Sequence, residues 1–151
     1  MQRVTLMADK HLSSQFDAEL SGISSRVLTM GGAVEAQVAQ AMYALSNFSG
    51  ETATQVLRKE EDVNAMELQI DADLSTIIAR RQPTARDLRL LIAVSKTIAN
   101  LERVGDEAAR IARMVQRLLD SGVSSRMRVP VQALNVEAGL AMAQLRKVLD
   151  A

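Results

Sequence analysis

"RQPTARDLR", residues 81–89, decides the fold. Pro83 offers no backbone donor, and it pushes the residue before it out of the helical region. Thr84 and Asp87 stand three residues apart, a capping box with Asp in place of Glu or Gln. One helix therefore stops near Arg81 and another starts near Ala85. A link this short forces the two to run antiparallel.

Working outward, the second helix is read back to about Glu51 and the third forward to about Asp120. Ahead of them, Leu12, Phe16, Leu20, Ile23, Val27, Met30, Val34, Val38, Ala41 or Met42, Leu45 and Phe48 recur at steps of three and four. That seam predicts a first helix from Leu12 to Phe48. Gly31-Gly32 within it reads as a bend that packing tolerates, or as a place where a neighbouring helix comes close. Gly50, in the link Ser49-Gly50-Glu51, reads as the stop signal. The fold class is all-α, an antiparallel three-helix bundle over residues 1–122. Beyond it, "DSGVSSRMRVP" reads as a linker. Pro130 suits the first turn of a fourth helix, whose apolar stripe is Val131, Leu134, Ala138, Ala141, Leu145 and Val148. That stripe needs a face to bury. The expectation is that the chain is a piece of a longer protein, or that the helix packs on a second copy as a homodimer.

Composition excludes several functions. Lys plus Arg and Asp plus Glu both number 18, and Phe16, Tyr43 and Phe48 are the only aromatics. Neither the basic excess nor the stacking platform of a nucleic-acid binder is present. Without cysteine there is no disulfide or thiolate site. No signal peptide and no apolar run long enough to span a bilayer is visible, so the expectation is a cytoplasmic protein.

The chemistry lies in carboxylates. Leu57, Glu60, Asn64, Glu67, Asp71, Leu74 and Ile78 form one stripe of the second helix. It runs beside the apolar stripe Val56, Val63, Ile70 and Ile77. Glu102 and Asp106 repeat the Glu67-x-x-x-Asp71 spacing on the third helix, where Ile98 and Ala109 lie within about 40° of Glu102 by the helical period. Like charges four apart cost about 0.2–0.5 kcal/mol. One reading is a solvated face with ion pairs such as Asp106–Arg110 and Arg58–Asp62. The other is a cation site, since clustered carboxylates beside a core call for a neutralising charge. Oxygen ligands alone suit hard cations, iron or manganese. The one histidine, His11, reads as a residue ahead of the first helix and no ligand. Di-iron oxidase sites need Glu-x-x-His. No phosphate loop or nucleophile set is present, which argues against an enzyme.

"QFDAELSGISSRVLTMGGAVEAQV", "NAMELQID" and "IIARRQPTARDLRLLIAVSKTIANLERVGDEAARIAR" resemble the PhoU family, accessory regulators of the bacterial phosphate-specific ABC transporter. The resemblance implies two tandem three-helix bundles, so that residues 123–151 hold a linker and the first helix of a second, incomplete bundle. It implies a surface multinuclear metal cluster of iron, manganese or zinc, held here by Glu67, Asp71, Glu102 and Asp106. It also implies a non-enzymatic adaptor between the transporter's ATPase subunit and a sensor histidine kinase, repressing the phosphate regulon when phosphate is abundant. The alternative is a carboxylate metal bundle with a storage or metallohydrolase role.

Overall fold

The computed structural model describes residues 2–81 and 83–122, and side chains from Gln15 onward. Three helices run α1 (Gln2–Asn47), α2 (Gly50–Arg81) and α3 (Ala85–Asp120). The expected bounds of α2 and α3 hold to within a residue. The first helix instead begins at Gln2, ten residues ahead of Leu12, because helix formers carry the chain beyond the apolar seam. The fourth-helix stripe, and the whole segment 123–151 with it, lies outside the described residues.

Both turns are built differently from the sequence expectation. Phe48, not Gly50, leaves the helical region, at φ 52°. The Ser49 amide then closes on the Ala44 carbonyl at 3.0 Å, the bond that satisfies the end of α1. Ser49 also opens α2, its Oγ accepting the Thr52 amide at 3.2 Å. Gly50 is already helical. A Cβ there would stand 3.2 Å from Leu119 Cδ1, so its smallness admits the far end of α3. At the second turn Thr84 is the N-cap, with an extended ψ of 165°, but its side chain caps no amide. Its hydroxyl donates to Asp87 Oδ2 at 2.6 Å instead. A charge-assisted bond of that kind outcompetes a neutral cap.

The helices are antiparallel neighbours. Arg26 pairs with Asp73, and Glu19 takes Arg81 at 2.9 Å and Arg80 at 3.5 Å, joining the middle of α1 to the second half of α2. The Arg81 hydrogen bond, above all, holds the Glu19 carboxyl below its ordinary value. Gln116 Nε2 donates to Thr54 Oγ1 at 3.3 Å, joining the end of α3 to the start of α2.

Between them the core has two parts. One part holds larger side chains, Ile23, Met30, Val34, Ile70, Leu91 and Ile98 among them. The other part, toward the α1–α2 turn, is mostly alanine: Ala41, Ala44, Ala53, Ala108 and Ala112, with Val56 and Val115. Smaller side chains let helix axes approach more closely. Gly31 is buried and Gly32 exposed with open space around it, and α1 runs through both without a break.

Gln37 lies between the two parts, fully buried. Its Nε2 donates to the Val56 carbonyl at 3.4 Å, and its Oε1 has no partner among the described residues. An unsatisfied buried acceptor costs about 1–3 kcal/mol. Gln37→Met keeps the shape and removes the polar atoms. It is expected to stabilise the bundle by about 1 kcal/mol or more, read as a higher urea midpoint. A lower or unmoved midpoint would mean that the oxygen is satisfied, as by a buried water.

Candidate metal centre

The carboxylates lie where α2 and α3 face each other at the surface. On α2, Val56, Val63, Ile70 and Ile77 are all buried, and this apolar row holds the adjacent stripe at the rim of the core. Glu60, Asn64 and Glu67 are half-buried there, and Asp71 is exposed. On α3, Ile98 and Ala109 are buried and place Glu102 and Asp106 at the same rim, half-buried.

The register between the helices shows what is unusual about these acids. Arg113 on α3 grips Glu60 on α2 through two guanidinium nitrogens, the shortest contact being 2.8 Å. Seven residues on from Glu60 is Glu67, and seven residues back from Arg113 is Asp106. In an antiparallel pair these positions face each other one heptad further along. At one level the rim closes with an ion pair. At the next, acid stands where the arginine stood.

The electrostatics agree. The Glu102 carboxyl is raised above its ordinary value, first by burial and then by the negative charges of Asp106 and Glu67. A hydrogen bond with Asp106 adds to the rise, and Arg103 only partly opposes it. The Asp106–Arg110 pair of the solvated-face reading does not form. Arg110 turns to Glu107 at 2.9 Å. Nor do Arg58 and Asp62 pair. None of Glu67, Asp71, Glu102 and Asp106 has an ion-pair partner among the described residues.

Glu102 therefore senses the charge of two of the other expected ligands, Glu67 and Asp106, while Asp71 is not among the charges acting on it. Among the described residues no three Asp, Glu or His side chains converge closely enough to hold an ion as they stand. Like charges disfavour convergence. The donor set nevertheless suits a hard cation, manganese or iron: oxygen alone, half-buried except at Asp71, with no cationic partner among the described residues. Zinc, which favours nitrogen and sulfur, suits it less.

Two residues of the site escaped the sequence reading. Arg113 was visible seven residues beyond Asp106, but its pairing with Glu60 needs the interhelical register. Gln37 lies beneath Gly105, the residue before Asp106. A Cβ on Gly105 would stand 2.9 Å from Gln37 Oε1 and 3.4 Å from Val63 Cγ1. The glycine lets α1 and α3 close up directly under the acidic pair.

Comparison with known proteins agrees with this architecture. The family model described as "PhoU domain" matches residues 27–115. A phosphate-specific transport system accessory protein PhoU homolog from a Burkholderia species is 46% identical over 144 residues, covering 95% of this chain and 61% of that protein. The accessory protein PhoU of Escherichia coli is 50% identical over 109 residues, covering 72% of this chain and 45% of its own. The crystal structure of PhoU from Pseudomonas aeruginosa superposes with a TM-score of 0.80 at 41% identity, over 90% of this chain and 64% of that one. The chain thus spans about half to three-fifths of these relatives. They are named for an accessory role in transport, not for a reaction. No helix among the described residues is long and apolar enough to cross a membrane. The family-model match over residues 27–115, together with the superposed bundle, assigns the chain to the PhoU family.

Proposed function

We propose that this chain is the amino-terminal bundle of a non-enzymatic adaptor of the phosphate-specific transport system. It works in the cytoplasm between the transporter's ATPase subunit and a sensor histidine kinase, and represses phosphate-starvation genes when phosphate is plentiful. The observation that carries this is the family match over residues 27–115. Its extension to these partners rests on the family resemblance.

Within this reading Glu67, Asp71, Glu102 and Asp106 hold a metal cluster. Support comes from the acidic level of the α2–α3 rim and from the raised Glu102 carboxyl. The residue types favour iron or manganese. A bound cation would supply the positive charge that Arg113 supplies to Glu60. Residues 123–151 would open the second bundle, and their apolar stripe would serve self-association.

The test is genetic. Deleting the full-length gene is expected to leave phosphate-starvation genes switched on in phosphate-rich medium, with repression restored by the wild-type copy. Normal repression in the deletion strain would sink the reading. Capture of the transporter ATPase by the full-length protein checks the partner. A phosphatase assay on metal-loaded protein addresses the storage or metallohydrolase alternative.

A further inference from the structure

The outer face of α3 carries a regular charge pattern that the core does not use and that reaches the acidic rim only through the partial effect of Arg103 on Glu102. Arg89, Lys96, Arg103, Arg110 and Arg117 recur at every seventh residue, and all five are exposed. The buried row Leu91, Ile98, Gly105 and Ala112 has the same seven-residue interval. An arrangement with that repeat keeps a constant orientation along a left-handed bundle. The cations therefore form a straight row opposite the core, about 42 Å long at the helical rise.

Local stabilisation accounts for only part of it, since Arg103 has Asp106 and Glu107, and Arg117 has Asp120, three or four residues on. Basic residues favour the last turn of a helix through the macrodipole, which explains Arg117 but not Arg89 or Lys96 near the other end. Exposed helix charges are commonly matched three or four residues away. Arg89 and Lys96 have no acid at either spacing in either direction. Arg110 pairs with Glu107. Arg89, Lys96, Arg103 and Arg117 have no ion-pair partner among the described residues.

We infer that this face docks an acidic amphipathic helix of a partner protein, with carboxylates at seven-residue spacing that meet the five cations. Charge complementarity sets the sign. The width of the row sets the shape. It is narrow, joined at its far end by Arg113 beside Arg110 and Arg117, and bordered by Asp106 and Glu107, which an anionic bilayer plane would press against its own headgroups. A rod lying along the row avoids them. Ile92 and Met114, 45% and 54% exposed, flank the row and offer apolar contacts to such a helix. Guanidinium groups bind carboxylates through two parallel hydrogen bonds, which rewards matched register over mere charge. The inference does not depend on the metal reading.

The probes are three: a synthetic amphipathic helical peptide with Glu at every seventh position, a scrambled peptide of the same composition, and phosphatidylcholine vesicles containing phosphatidylglycerol. Binding of the full chain is followed by fluorescence anisotropy for the peptides and by sedimentation for the vesicles. The patterned peptide should bind about tenfold or more tightly than the scrambled one. Salt of roughly 0.5 M, where screening lengths fall to a few ångström, should erase the margin. The variant Arg89→Gln/Lys96→Gln/Arg103→Gln/Arg117→Gln should also lose it while keeping its helicity. Should that variant unfold, Arg89→Gln/Lys96→Gln serves with a smaller expected loss. Equal binding of the two peptides, or an undiminished margin in a folded variant, overturns the inference. So does retention of the wild type, but not the variant, on the vesicles, because the row would then be a membrane-facing surface.

Discussion

Glu102→Gln combined with Asp106→Asn is expected to abolish binding of manganese or iron while leaving the helical content unchanged. The two side chains keep their size and lose the negative charge that a hard cation requires. Metal analysis of protein purified without chelator, wild type beside variant, reads the result. Equal metal content would show that the ligands lie elsewhere. The metal-free stability should move the other way. Burial and neighbouring carboxylates raise the Glu102 carboxyl in the folded chain. From the ordinary carboxyl value up through the raised one, the folded state binds more protons than the unfolded state. Stability contributed by this group therefore falls as pH rises through that window. At neutral pH the charge-free variant should be at least as stable as the wild type, by a few tenths of a kcal/mol or more. Below the ordinary carboxyl value the difference should vanish, because Glu102 is then protonated in both states. A variant markedly less stable at neutral pH would mean that the pair makes stabilising contacts beyond those described.

Gly105→Val should destabilise the bundle by about 1–3 kcal/mol, the usual cost of overfilling a packed core. The first added carbon already stands 2.9 Å from Gln37 Oε1. Gln37 is fully buried and cannot swing into solvent to make room. Gly105→Ala should be close to neutral, since replacing glycine within a helix recovers about 1 kcal/mol. The contact predicts coupling as well. Gln37→Ala removes the obstructing amide, so Gly105→Val should cost less in that background, by about 0.5–3 kcal/mol. Urea midpoints of the two single variants and the double variant complete the cycle. Strict additivity would mean that the two residues do not meet.

Much of the fold was legible because period and punctuation are local properties. Pro83 with Thr84 and Asp87 placed the α2–α3 break, and α3 begins at Ala85 as expected. The row Val56, Val63, Ile70 and Ile77 named the buried face of α2 before any partner was known. What failed was hydrogen-bond detail. Gly50 has the sequence signature of a stop between α1 and α2, but Phe48 takes the positive φ and Gly50 makes room for Leu119. Thr84 caps with its hydroxyl turned to Asp87. Each choice depends on competing partners that differ little in energy, and a sequence does not rank them.

The site divides in the same way. By itself the sequence determined an all-helical bundle and two Glu-x-x-x-Asp pairs at the margin of the core, because side-chain direction along a helix follows from spacing alone. Only the tertiary structure decided which charges meet. It set Arg113 on Glu60 and an acid one heptad further along, turned Arg110 away from Asp106, and seated Gln37 beneath Gly105. Those outcomes depend on how far one helix slides against another. Side-chain volumes on both helices fix that register together, and no single stretch of chain contains it.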